Sequence, residues 1–253
     1  MAEAHLSVPD LSVVIPAYNE ETRLGPTLRR VVTWLTDQPF SSELVVVDDG
    51  STDRTAQLAG NMLEGGQIPY QVLVNDINRG KGFSVKRGMM ASLGRLALFS
   101  DADLSTPIEH ARDLMAAIEV GADMAIGSRV AEGADIEVHQ PILRETAGRM
   151  FSVAQRAILG TNVRDTQCGF KMFTRAAVES VFPHQELERW AFDAELIYIA
   201  LRLDLRVVEV PVRWRNDQDT KVRALSDGLR MVADLWAIRR MHADLRPATQ
   251  SAG

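Results

Sequence analysis

Cysteine occurs once in this 253-residue chain, at Cys168. An internal disulfide is therefore excluded, and the usage fits a reducing compartment. Aromatic residues are sparse, at 6%. No run approaches the roughly 18 consecutive apolar residues that a membrane-spanning helix needs. Positive charge is not in excess. The formal net charge is -6, so the broad basic footprint of a nucleic-acid binder is missing. Met1 to Pro9 carries Glu3 and no apolar core, so it does not read as a signal peptide. The expected location is the cytoplasm. What is present is ordinary globular composition, 46% apolar and 25% charged. The length suits one large α/β domain or two small ones.

Short β-rich runs alternate with longer helical patterns. Strands are expected at Leu11 to Pro16, Glu43 to Val47, Tyr70 to Val74, Leu96 to Ser100 and Met124 to Gly127. Helices are expected between them at Pro26 to Thr36, Thr52 to Met62, Gly82 to Leu93 and Ile108 to Val120. Continuous apolar runs such as Glu43 to Val47 fit strands buried on both faces. The repeated β-α-β order argues for an α/β fold, with a mostly parallel central sheet flanked by helices. The second half is less regular. Ala131 to Pro141 reads as a polar loop and Leu143 to Leu159 as an amphipathic helix with Arg144, Arg149 and Arg156. Gly169 to Phe173 reads as a short strand, Phe192 to Leu203 as a helix, Arg206 to Val212 as a strand and Leu225 to Met241 as a long helix. No Pro/Gly/Ser linker divides the chain. One domain over 1–253 is expected, with a nucleotide-binding half over about 10–130, an acceptor-side half over about 131–242 and a frayed polar tail at 243–253.

Open parallel sheets bind ligands outside the carboxyl ends of their strands, and three expected strands end in polar groups. The first runs into Pro16-Ala17-Tyr18-Asn19-Glu20, the second into Asp48-Asp49-Gly50-Ser51, the fourth into Asp101-Ala102-Asp103. Two carboxylates two residues apart can address one hard cation, Mg²⁺ or Mn²⁺, of the kind that bridges the oxygens of a departing diphosphate. Asp101 and Asp103 can equally start the turn before the next helix. Asp48 and Asp49 serve either a base edge or a simple Asp-Gly-Ser turn. Tyr18 can pack on a base or in the core, and Glu20 can meet a nucleotide or a helix N-terminus. Asn78-Arg79-Gly80-Lys81-Gly82 is glycine-rich and basic. It is not a P-loop, and serves either as a cation near a diphosphate or as a solvated turn.

Taken in order, Val14-Ile15-Pro16-Ala17-Tyr18-Asn19-Glu20, Val47-Asp48-Asp49-Gly50-Ser51-Thr52-Asp53, Asn78-Arg79-Gly80-Lys81-Gly82 and Asp101-Ala102-Asp103 resemble the inverting family 2 glycosyltransferases of the GT-A fold. Gly127-Ser128-Arg129, Asp165-Thr166-Gln167-Cys168-Gly169-Phe170-Lys171 and Arg189-Trp190-Ala191-Phe192-Asp193-Ala194-Glu195 extend the resemblance toward the polyprenyl-phosphate (dolichyl-phosphate) sugar transferases. Ser100 to Pro107 leans toward their glucosyl branch. The resemblance implies that Pro16, Ala17, Tyr18 and Glu20 hold the nucleoside and that Val47 and Asp49 contact the base. Asp101, Ala102 and Asp103 would organise the cation and diphosphate, with Asp103 the more direct ligand. Lys81 would stand near phosphates, Arg129 near phosphates or sugar, and Arg215 and Lys221 would close over the donor.

The implied reaction is one in-line displacement at the anomeric carbon, with inversion, from a nucleotide-sugar donor such as UDP-glucose. A lipid-phosphate acceptor arrives anionic and needs little deprotonation. A hydroxyl acceptor needs a general base, and Asp193 lies where many relatives carry a catalytic carboxylate. That position also suits a carboxylate at a helix N-terminus. The alternatives are a GDP-mannose-dependent polyprenyl-phosphate mannosyltransferase and a soluble enzyme that glycosylates a hydroxyl. No transmembrane hairpin of the kind that some of these transferases carry is expected from this sequence. Its Leu143 to Leu159 pattern suits peripheral membrane contact and core packing alike.

Overall fold

The computed structural model describes residues 8–138, 152–153, 155–215 and 224–247. Strands β1 (Leu11–Ala17), β2 (Ser42–Asp48), β3 (Tyr70–Val74), β4 (Leu96–Ser100) and β5 (Met124–Ser128) fall on the expected apolar runs. β1 and β2 are buried along their whole length. Alternation sends their side chains to two separate cores. Val13, Ile15, Leu44 and Val46 pack beneath Leu24, Leu28 and Val31 of the Leu24–Thr36 helix. Val14, Val45 and Val47 pack on the opposite face with Val85 and Met89 of the Lys81–Ala91 helix. Each such side chain, fully buried, contributes about 1.5–3 kcal/mol relative to exposure.

The remaining strands are β6 (Asp135–Val138), β7 (Phe170–Thr174), β8 (Val207–Pro211) and β9 (Arg213–Arg215). A seven-stranded sheet runs in the order β3-β2-β1-β4-β7-β5-β8. The β1–β2, β1–β4, β2–β3 and β5–β8 pairs are parallel, and β7 is antiparallel to both β4 and β5. The sheet is therefore mostly parallel and helix-flanked, as expected. The reversal of β7 matters for the site: Phe170 pairs with Ser100, so the residues that precede β7, rather than those that follow it, lie at the carboxyl end of β4. Strand order switches between β1 and β4, and the crevice outside that point is where open α/β sheets bind ligands.

Several expected boundaries differ. The stretch read as a polar loop, Ala131 to Pro141, contains β6, which pairs in parallel with β9. Four residues carry too little periodicity to announce a strand whose partner residues are 77 to 78 positions away. The helix expected from Thr52 begins at Thr55, because Asp53 Oδ1 takes the Thr55 amide at 3.0 Å and ends the preceding turn. The helix expected from Ile108 opens with a 3₁₀ turn, Ile108–His110, before Ala111–Glu119. A helix at Arg175–Val181 escaped the pattern. It is capped by Thr174, whose hydroxyl accepts the Ala177 amide at 3.1 Å. Most of the expected Leu143 to Leu159 helix lies outside the described residues, although 155–159 are helical. No described helix is long and apolar enough to cross a membrane.

Candidate active site

The turn after β1 is tied to the turn after β2. Asn19, in the left-handed region at φ 50, receives Thr52 N on its Oδ1 at 2.9 Å and donates its own amide to Ser51 Oγ at 2.9 Å. Glu20 is 7% exposed. Its amide donates to Thr55 Oγ1 at 2.8 Å and its carboxylate pairs with Arg23 at 2.7 Å. Pro16 and Ala17 end β1, in register with Val47 and Asp48, and Tyr18 follows directly.

Asp49 is 3% exposed and gathers the loop after β3. Its Oδ1 accepts Asn75 Nδ2 at 2.7 Å and Arg79 N at 3.1 Å, and its Oδ2 accepts Gly80 N at 2.7 Å. The loop is tight where it meets the second half of the chain. Gly80 has φ 114, and a Cβ there would stand 2.5 Å from the Glu188 carbonyl. A glycine is the residue that passes. The next residue, Lys81, is thereby delivered to the first turn of its helix with its Nζ 2.5 Å from Asp101 Oδ1. The rings of Trp190 and Phe192 each lie 5.8 Å from that ammonium.

Asp101 directly follows β4, and its amide donates to Gly169 O at 3.1 Å. A Cβ at position 169 would overlap the Asp101 carboxylate. Ala102 is buried, and its carbonyl accepts Thr27 Oγ1 at 2.6 Å. Asp103 Oδ1 accepts Ser105 N at 2.8 Å. Burial, reinforced by the Asp101 charge, holds the Asp103 carboxyl above the ordinary carboxylate range.

Arg129 follows β5. Its backbone N, Nε and Nη2 donate to the Asp165 carboxylate at 2.8, 2.8 and 2.7 Å, and its guanidinium lies 5.2 Å from the centre of the Trp214 ring. Arg215 is exposed, and its amide donates to Ser105 O at 2.9 Å, one turn from Asp103. Lys221 lies outside the described residues. Asp193, 2% exposed, pairs with Lys171, whose Nζ also donates to Cys168 O at 2.7 Å. Burial pushes Asp193 up, against the pull of Lys171 and Lys81. Burial also pushes the Cys168 thiol up to about 11, helped by the Asp165 charge, which leaves it a protonated core residue.

Residues 12–182 match the family described as Glycosyl transferase family 2. The chain belongs to glycosyltransferase family 2. A dolichyl-phosphate beta-glucosyltransferase of Dictyostelium discoideum is 36% identical over 241 residues, covering 90% of this chain and 73% of that one. Those of Drosophila melanogaster and Homo sapiens are 37% and 34% identical, each covering 90% of this chain and 74% of its own. Among solved structures, glucosyl-3-phosphoglycerate synthase from Mycobacterium tuberculosis in complex with Mn²⁺, UDP-glucose and phosphoglyceric acid superposes with a TM-score of 0.66 at 20% identity, covering 91% of this chain and 79% of that one. The same enzyme with Mg²⁺ and UDP gives a TM-score of 0.65, also at 20% identity, covering 92% and 79%. At that identity the likeness speaks for the GT-A fold.

The transferase thus brings together five of the residues its motifs singled out. Asp101, Asp103, Lys81 and Asp193 form one electrostatic group, with Arg129 coupled to Asp101. Asp49 serves in this structure as the organiser of the 75–80 loop. The donor set at Asp101 and Asp103 fits a divalent cation: both groups are hard oxygen donors, and they stand close enough for the Asp101 charge to act on the Asp103 carboxyl. Among the described residues no three His, Cys, Asp or Glu side chains converge, so two carboxylates are what the chain offers. The resemblance assigns no role to Lys171 and Gly169, which both stand in the motif from Asp165 to Lys171. The signal for Lys171 was a lone cation inside the apolar strand Phe170–Thr174, which demands a buried partner.

Proposed function

We propose that this transferase moves glucose from UDP-glucose to a polyprenyl, dolichyl-type phosphate, with inversion and with a divalent cation held by Asp101 and Asp103. The donor and acceptor classes follow the names its relatives carry over 90% of the chain. The observation that favours a phosphate over a hydroxyl acceptor is the buried Lys171–Asp193 pair. A hydroxyl acceptor requires a general base, and Oδ1 of Asp193, the candidate for that role, is already taken up by Lys171. A phosphate acceptor is its own nucleophile and needs none.

In this reading Pro16, Ala17, Tyr18, Glu20 and Val47 frame the nucleoside, Lys81 faces the diphosphate, Arg129 and Arg215 meet phosphate charge, and Lys221 keeps the role of donor-closing cation that the resemblance implies. The cation supplies charge stabilisation to the departing diphosphate. The chain's own cations add to it in a half-buried site, where each charge acts more strongly than in water. A lipid acceptor also requires peripheral contact with a membrane surface. The half-exposed Trp236 is the side chain suited to it, on the Ala224–Met241 helix whose last turn carries Arg239 and Arg240.

The test is a matrix of UDP-glucose and GDP-mannose against polyprenyl phosphate and soluble hydroxyl acceptors, with Mg²⁺ or Mn²⁺ added. Transfer confined to UDP-glucose with polyprenyl phosphate is expected. Transfer to hydroxyl acceptors alone would overturn the reading.

A further inference from the structure

Lys81 is the cation that engages Asp101 in this structure. Its ammonium is 2.5 Å from Asp101 Oδ1, with the Asp193 and Asp103 carboxylates within electrostatic reach. Only 16% of its side chain meets solvent. The placement is built into the fold: Asp49 holds the Arg79 and Gly80 amides, and the Glu188 carbonyl closes over Gly80. Asp101 is equally constrained, between Gly169 at its carboxylate and the Gly169 carbonyl at its amide.

An ammonium at that distance uses an oxygen lone pair that a divalent cation also needs, since Mg²⁺ binds carboxylates at about 2.0–2.1 Å. Two such positive charges on one carboxylate oxygen repel at contact distance. With two carboxylates on offer, a cation gains too little from the protein alone to evict Lys81. The diphosphate changes that balance, because it supplies oxygens to the cation and a new anionic partner to the ammonium.

We propose that Lys81 is the resident counter-ion of Asp101 and yields that carboxylate to a divalent cation when the donor diphosphate arrives, so that cation and donor bind as one unit. This rests on the reading of the site as a cation-assisted nucleotide-sugar site. Asp193 and the rings of Trp190 and Phe192 keep the displaced ammonium beside the diphosphate. Linkage makes the coupling reciprocal, with UDP tightening Mn²⁺ by the factor by which Mn²⁺ tightens UDP.

The experiment is Mn²⁺ binding to the full chain, followed by the paramagnetic resonance of free Mn²⁺, with and without UDP. Wild type is expected to bind Mn²⁺ weakly alone and at least about tenfold more tightly with UDP, within the usual range of coupled sites. Lys81→Met frees Asp101, so it is expected to bind Mn²⁺ alone about tenfold more tightly than wild type and to lose most of the UDP-dependent gain. Lys81→Arg keeps the charge and should behave as wild type, and Lys81→Met with Asp101→Asn should lose the added affinity. Thermal melts establish that each variant is folded. Unchanged or weaker Mn²⁺ binding in folded Lys81→Met overturns the proposal while leaving the transferase reading intact. Failure of wild type to bind Mn²⁺ even with UDP overturns the reading and the proposal with it.

Discussion

The Lys171 ammonium and the Asp193 carboxylate form an ion pair sealed from solvent, with side chains 0% and 3% exposed. Removing one member leaves an uncompensated buried charge, at a cost of about 3–5 kcal/mol. Lys171→Met should therefore lower stability by that amount in denaturant titrations, with Lys171→Met plus Asp193→Asn recovering part of it. The same pair speaks to catalysis. In Asp193→Asn, kcat with polyprenyl phosphate should stay within about tenfold of wild type, against the roughly 10²–10⁴-fold loss expected for a general base. A loss in that larger range from folded protein, with the alkaline plateau of the pH profile gone, would restore Asp193 as the base.

Asp49 carries three hydrogen bonds from the 75–80 loop. In Asp49→Asn one accepting oxygen becomes a donor facing backbone amides, and an unsatisfied buried donor costs about 1–3 kcal/mol. If the loop delivers Lys81 to the site, that cost appears in donor binding. KM for the nucleotide sugar should rise about 5–150-fold with a smaller change in kcat. Calorimetric titration with UDP checks it, and unchanged UDP affinity would mean the loop does not depend on Asp49.

Asp103 is placed against its own stability. Its folded pKa lies above the ordinary 3.8 because burial and Asp101 disfavour the charge. The native state therefore binds its proton more tightly than the unfolded chain does. Stability falls as pH rises from that ordinary value through the raised one, and the full penalty stands above it. Asp103→Asn should abolish transfer while raising Tm at neutral pH, by about 2–4 °C for each kcal/mol regained. The gain should vanish in melts run well below the ordinary carboxylate pKa. A lower Tm at neutral pH would contradict the sign.

Trp236 is 55% exposed, and Trp236→Ala should weaken sedimentation with anionic vesicles containing polyprenyl phosphate. Activity on a short-chain, water-soluble polyprenyl phosphate should be unaffected. Equal sedimentation of the variant and wild type would remove this residue from the membrane contact.

The parallel half of the sheet was legible because each strand is an apolar run that stops at a polar rim, as Val45, Val46 and Val47 stop at Asp48 and Asp49. The chemistry at those rims followed from strand polarity alone. The direction of β7 was not legible, since Phe170–Thr174 reads the same in either sense and the choice lies with its neighbours β4 and β5. β6 and β9 were hidden for a similar reason: they are stabilised by each other and by little in their own sequence. Tyr18, Glu20, Asp101 and Asp103 were found by position on the rim. The loop-organising geometry of Asp49 and the counter-charge of Lys171 required knowing what lies across the chain, at Gly80 and Asp193.

The central claim is transfer of glucose to a phosphate by a site built on Asp101 and Asp103. The most direct measurement is single-turnover transfer from radiolabelled UDP-glucose to polyprenyl phosphate, with NMR of the anomeric linkage in the product. A β-linked glucosyl phosphate is expected from wild type, and none from wild type in EDTA or from Asp103→Ala. An α-linked product, or turnover undiminished by EDTA and by Asp103→Ala, would contradict it.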